Sequence, residues 1–225
     1  MSNIKLQDDY EWQNVYPSSH FQQTQQIEQK NELFELPIGV KIINGKIFIP
    51  NTTKDIHINQ KIILEKIIEV LPQSVFEVGF GYGNNLIGIH RLLPEVELNG
   101  CDISWKQHYM ALQRYGECKK FQLIVGDFLE LDIPDNSFDF VFSQAVLMHM
   151  STERAMLALE KMVRISKKYV MSTDGGLTIP NIRGFICSLG KATFYDEVAE
   201  KYWTHNNICP FLIEKRDNNA DFHNI

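Results

Sequence analysis

Between Ser74 and Thr173 the sequence switches period repeatedly, and that alternation restricts the fold more than any other feature. Short apolar runs at Ser74–Val78, Glu97–Cys101, Phe121–Val125, Phe138–Ser143 and Tyr169–Thr173 each predict a buried strand. Between them, apolar residues recur at helical spacing. Ile62, Ile63, Ile67, Ile68 and Leu71 form a stripe that Pro72 stops, and Leu86–Leu93 is closed by Pro94. Ser104 predicts the cap of a helix running to Tyr115, with Gly116 past its end. Ser151 opens a helix whose Ala155, Met156, Leu159, Met162 and Val163 share one face. Strands alternating with helices imply βαβ units, a mostly parallel sheet and an α/β class.

The flanks differ. Residues 1–36 are polar and glutamine-rich, yet carry Tyr10, Trp12, Tyr16, Phe21 and Phe34, which suits a helical arm or lid. Asn44-Gly45 between two isoleucine-rich stretches predicts a hairpin. Asp196–Trp203 reads as a helix and Ile208–Lys215 as a last strand. The expected organisation is an arm with a hairpin over 1–53, one α/β domain over 54–216 and a frayed tail over 217–225.

Composition narrows the partners. With 22 basic and 28 acidic residues the net charge is −6 and no basic stripe is present, which disfavours nucleic acid. No run reaches the ~18 apolar residues of a membrane span. The start lacks an apolar secretory core, and Cys101, Cys118, Cys187 and Cys209 form no C-x-x-C pair. Reduced thiols in a cytoplasmic protein are therefore expected. His57, His90, His108, His205 and His223 show no metal-ligand spacing, so no metal is expected.

In open parallel sheets ligands bind beyond the carboxyl ends of the strands. The residues that follow the strands here are Gly79–Gly83, Asp102-Ile103, Gly126-Asp127-Phe128, Ser143-Gln144 and Asp174-Gly175-Gly176. A glycine loop between strand and helix lets a ligand approach the backbone and offers free N–H groups. A dinucleotide loop would read G-x-G-x-x-G/A. Gly79 and Gly81 fit that pattern, but Asn84 stands at the third position, and the spacing present is E-x-G-x-G-x-G.

With these motifs the chain resembles the class I S-adenosylmethionine-dependent methyltransferases over Pro72 to Thr173. Glu77, Gly79, Gly81 and Gly83 match the family's first motif, whose loop packs on the methionine part of the cofactor while the acid orders the loop and the amino group. Asp102 matches the acid that holds both ribose hydroxyls, and Ile103 would pack on the adenine. An ionised carboxylate suits two adjacent hydroxyl donors. Asp127 matches the acid that reads the adenine amino group, with Phe128 near the base. Phe138-Asp139-Phe140-Val141 matches the fourth motif, which brings Ser143 and Gln144 beside the cofactor. The resemblance implies a doubly wound, mostly parallel, seven-stranded Rossmann-like sheet with helices on both faces. It also implies S-adenosylmethionine as cofactor and S-adenosylhomocysteine as product.

Methyl transfer from a sulfonium needs alignment and exclusion of water, and a base only where the acceptor holds its proton. His149, five residues past Gln144, is the candidate base, and a packed structural histidine is its competing reading. Tyr16, His20 and Asp174 are candidate acceptor contacts. SQAV stands after the fourth strand where many base-methylating enzymes carry N-P-P-Y/F. The expected acceptor is thus an O or N nucleophile of a small molecule, such as a bacterial surface-glycan or secondary-metabolite precursor. The richness in Ile, Asn and Lys points to an AT-rich bacterial genome. A nicotinamide-dependent oxidoreductase on a related fold, and a cofactor-binding protein without catalysis, are the alternatives.

Overall fold

The computed structural model describes residues 40–44, 46–48, 56–115, 121–175, 180–197 and 210–216. In the middle of its five parallel strands is β3 (Ser74–Val78), all five of whose residues are buried. Around it lie β4 (Glu97–Asp102), β5 (Phe121–Val125), β6 (Phe138–Ser143), β7 (Ser166–Ser172), β8 (Lys191–Phe194) and β9 (Phe211–Glu214). The seven strands are ordered β5-β4-β3-β6-β7-β9-β8. The first five in that order run parallel. β9 is antiparallel to β7, and β8 to β9. A separate antiparallel pair, β1 (Lys41–Ile43) and β2 (Lys46–Phe48), flanks the Asn44-Gly45 dipeptide, with Asn44 at φ +52°.

The strand order reverses direction between β3 and β6, which opens a crevice at their carboxyl ends. Helices α1 (Ile58–Val70), α2 (Asn84–Leu92) and α3 (Trp105–Tyr115) cover one face, and α4 (Thr152–Ile165) and α5 (Ile182–Leu189) the other. The period-2 alternation of the strands divides their side chains between two cores. Val75, Phe140, Phe142 and Met171 pack under α1 and α2, while Phe76, Val78, Val141 and Val170 pack under α4. The parallel strands therefore read as continuous apolar runs, because both faces are buried.

Local chemistry fixes the boundaries. Ser151 caps α4 by accepting from the Arg154 N–H at 3.4 Å. Helix α1 stops where Leu71 turns left-handed at φ +46°, just ahead of Pro72. Asp139, the acid of the fourth motif, sits at the entry of β6, at the opposite end of the sheet from the glycine loop. Its Oδ2 accepts from the N–H groups of Gln73 and Ser74, both at 2.9 Å, and Lys167 lies 3.2 Å from Oδ1. That acid pins the starts of β3 and β6 together. Helix α5 and edge strand β8 were not expected from the sequence. The expected helix over 196–203 and the tail over 217–225 fall largely or wholly outside the described residues.

Candidate active site

The loop after β3 is built from three left-handed glycines, with φ of +70° at Gly79, +54° at Gly81 and +75° at Gly83. Gly79 still donates to the Cys101 carbonyl at 2.7 Å, so the strand pairing extends to the loop's first residue. Gly83 then donates back to the Phe80 carbonyl at 2.7 Å and becomes the N-cap of α2. Arg114, on α3, donates to the Tyr82 carbonyl at 3.0 Å and to Asn84 Oδ1, bracing the loop from outside. No side-chain hydrogen bond caps the start of α2.

Two buried acids flank the loop. Glu77 is 2% exposed; Oε1 accepts from Asn85 Nδ2 at 2.7 Å, while Oε2 is shut off with no partner among the described residues. Burial pushes its carboxyl well above the usual range, the Asn85 hydrogen bond opposes this, and the Asp102 charge adds to it. Asp102 ends β4, with Oδ1 accepting from Ser104 N–H and Oδ2 from Gly81 N–H, both at 2.8 Å. Burial raises its carboxyl to about 6, against those two N–H donors. Ile103, beside it, is half-buried.

After β5, Asp127 is held by the Leu129 N–H at 3.0 Å and by Arg154 at 2.7 Å. Phe128 departs from its expected role. Its ring is 4% exposed, lies 6.2 Å from Phe76 within the core, and carries the Lys161 ammonium 5.1 Å above it. That ammonium also donates to the carbonyls of Phe128 and Leu129 at 2.6 and 3.3 Å. The ring is thus committed to packing rather than to stacking on a base. Arginine-paired Asp127 remains at the crevice edge.

Ser143 and Asp174 also differ from expectation. Asp174 is fully buried on the α4 face, where it accepts from Ser143 Oγ at 2.6 Å, Ser172 Oγ at 2.8 Å, Leu147 N–H at 2.8 Å and Val146 N–H. All of its accepting capacity is directed inward, so it has no oxygen left for an acceptor molecule. It ties the ends of β6 and β7 to the 3-10 turn Leu147–His149. His149 on that turn is exposed; the protein packed around its ring lowers its pKa from the ordinary histidine value, and the Asp174 charge opposes that. Tyr16 and His20 lie outside the described residues.

On the α1–α2 face, Gln144 accepts from Asn85 Nδ2 at 3.1 Å, so one amide bridges Glu77 and Gln144. Asn85 was missed in the sequence, although an amide two residues past an E-x-G-x-G-x-G loop, in the first turn of the helix, is well placed to reach back to the acid. Asn59 and Thr173, also missed, meet at the end of β7, where Asn59 Nδ2 donates to the Thr173 carbonyl at 3.3 Å. Nothing in their local sequence marks them, because α1 and β7 are brought together only by the sheet order. Among the described residues no cluster of His, Cys, Asp or Glu is arranged to hold a metal ion. No helix among them is long and apolar enough to cross a membrane.

An acid-flanked glycine loop at the switch point of such a sheet defines the class I methyltransferase fold. Residues 75–169 match the family model described as "Methyltransferase domain", and over that segment the chain is similar to the class I S-adenosylmethionine-dependent methyltransferases. It is 32% identical over 98 residues to a demethylmenaquinone methyltransferase of Thermotoga maritima, covering 44% of this chain and 42% of that one. It is 23% identical over 143 residues to a malonyl-[acyl-carrier protein] O-methyltransferase of Halorhodospira halophila, covering 62% and 48%. The chain thus spans less than half the length of these curated relatives. The fold is shared with the magnesium protoporphyrin IX methyltransferase of Synechocystis, solved with bound S-adenosylhomocysteine, at a TM-score of 0.54 and 13% identity over 70% of this chain and 82% of that one.

The site fits S-adenosylmethionine, the cofactor of this domain class. Glu77 Oε2 is a buried carboxylate oxygen awaiting a donor, as an amino group supplies, and the loop leaves backbone where a bulkier residue would intrude.

Proposed function

We propose that the chain transfers a methyl group from S-adenosylmethionine to an oxygen or nitrogen of a small molecule. The observation that carries this reading is the pair of buried acids on either side of the glycine loop, one of them with an oxygen lacking a partner. The bound cofactor supplies an electrophilic methyl on a sulfonium. The chain's residues supply position and dryness. Glu77 and Asn85 would hold the amino-acid end, Gly79–Gly83 would receive the chain of the cofactor, Asp102 would accept from the ribose hydroxyls, and Asp127 with Ile103 would border the base. His149 would take the proton of the incoming nucleophile. Its lowered pKa keeps the ring neutral, and able to accept, at neutral pH. If so, turnover falls as pH drops through the His149 pKa, and H149A removes that limb of the profile; a profile unchanged in H149A removes His149 as base.

The acceptors in the relatives' names, demethylmenaquinone and malonyl-[acyl-carrier protein], have little in common, so they carry only the donor chemistry across. A bacterial surface-glycan or secondary-metabolite precursor is the acceptor we put forward, supported by the acidic balance and the SQAV sequence after β6.

Asp102 gives a pH-dependent test. Its folded pKa of about 6 lies above its ordinary 3.8. Its contribution to folding stability is therefore present below pH ~3.8 and lost as pH rises through about 6. Binding runs the other way, because the ionised form accepts best from two hydroxyls. S-adenosylhomocysteine should bind more tightly as pH rises from about 5 to 7, and D102N should flatten that rise. D102A should weaken binding by about 1–3 kcal/mol, the loss of a charge-assisted hydrogen bond. Calorimetry of S-adenosylhomocysteine beside NAD checks the whole reading; preferential binding of NAD would overturn it.

A further inference from the structure

We propose that Asn59 and Thr173 form the polar end of the methyl-acceptor pocket and select an acceptor that presents a hydroxyl or amine donor there. This rests on the methyltransferase reading above. Thr173 is 1% exposed, and its Oγ1 has no partner among the described residues. Asn59 Oδ1 is likewise shut off from solvent with no partner. The amide orientation is fixed by chemistry: the Thr173 carbonyl needs a donor, so Nδ2 faces it and Oδ1 faces away. The backbone N–H of Asn59 is taken by His57 Nδ1 at 3.3 Å, so the helix start does not supply the missing donor.

Sheet register places this pair relative to the transfer site. Val78 pairs with Ser143, and Ser143 with Ser172, so Gln144 and Thr173 occupy the next row on the same face. Neighbouring strands lie about 4.8 Å apart. The candidate cofactor residues run along the sheet edge from Asp127 after β5, through Asp102 at β4 and Glu77 at β3, to Gln144 after β6. Thr173 lies one strand beyond that row's end, where the second reactant must approach.

The unsatisfied atoms define the ligand. Asn59 Oδ1 can only accept, and the threonine hydroxyl can donate or accept. Their missing partner must bring at least one N–H or O–H. An ether, thioether or ester in that place leaves the Asn59 oxygen buried and unmatched, and a site built to bond a donor rejects the analogue lacking one more strongly than an apolar pocket rejects a methylene.

The test uses the full chain saturated with S-adenosylhomocysteine and two probes of similar length, ethanolamine and 1,2-dimethoxyethane, titrated by ligand-observed NMR. The wild type should bind ethanolamine at least about fivefold more tightly, the scale of one buried hydrogen bond. N59L should erase that preference, because only the Asn59 oxygen demands a donor, whereas T173V, nearly isosteric, should weaken both probes and keep the preference, both variants binding S-adenosylhomocysteine within about twofold of wild type. Should N59L not fold, N59A decides. Equal binding of both probes by the wild type, or a preference that survives in N59L, overturns the proposal alone. So does a T173V that loses S-adenosylhomocysteine affinity, since the pair then belongs to the cofactor. A wild type that binds no S-adenosylhomocysteine takes the methyltransferase reading down first.

Discussion

Replacing Gly79 by alanine should unfold the crevice before it touches the chemistry. Two independent costs meet at this residue. Its φ is +70°, where an L side chain carries roughly 1–2 kcal/mol of strain. A Cβ there would also run into the side chain of Val146, with Cγ1 3.1 Å and Cβ 3.2 Å away and Cγ2 closer still. Val146 cannot withdraw, because Asp174 holds its backbone N–H. Overpacking of this kind costs about 1–3 kcal/mol. Together, G79A should lose about 2–5 kcal/mol of stability in a denaturant titration, and S-adenosylhomocysteine should protect it far less than the wild type. G81A is the control. Its φ of +54° carries the same strain, but its Cβ would meet only Gln107 Oε1, at the end of a flexible side chain. G81A should therefore be the milder change. A G79A protein as stable as G81A would show that Val146 yields, and that the turn after β6 does not set the shape of the loop.

This coupling explains how far the sequence could be read. The loop itself was legible, since glycines at 79, 81 and 83 after an apolar run have few other uses. So were strands β3 to β7 and the helices between them, because both faces of a parallel sheet bury their side chains and leave plain apolar runs. Which way a polar residue turns at a strand end was not legible. Ser143 ends its strand and Asp174 lies two residues past the end of its own, as cofactor and acceptor contacts would, but both fall on the α4 face and point at each other. Gln144 and Thr173, one residue from them, fall on the α1–α2 face. A shift of one residue reverses the face, and a sequence gives strand ends only to within a residue or two. Phe128 failed for a different reason: an aromatic beside a binding acid is equally well spent on the core, and the core claimed it. Edge strand β8 is short and only partly buried, so it left no apolar signal.

Asp174 is where the second large effect is expected. Its carboxylate accepts from the Val146 and Leu147 N–H groups, and the Ser143 and Ser172 hydroxyls also donate to it. In D174A the two hydroxyls can rotate toward other acceptors, but the two backbone N–H groups cannot. Each buried donor left unmatched costs about 1–3 kcal/mol, so D174A should lose about 2–6 kcal/mol of stability. D174N separates charge from geometry. Its one amide oxygen can still serve the two backbone N–H groups, and its NH2 can donate to hydroxyl oxygens that reverse their roles. D174N should thus retain most of the stability that D174A loses. The same carboxylate seats Val146 against Gly79, so D174A should also weaken S-adenosylhomocysteine binding, although Asp174 is turned away from the crevice. Loss of stability with cofactor affinity intact would mean that the glycine loop keeps its shape without the turn behind it. Equal damage from D174N and D174A would mean that the negative charge itself, and not the pattern of accepted bonds, holds β6, β7 and the His149 turn together.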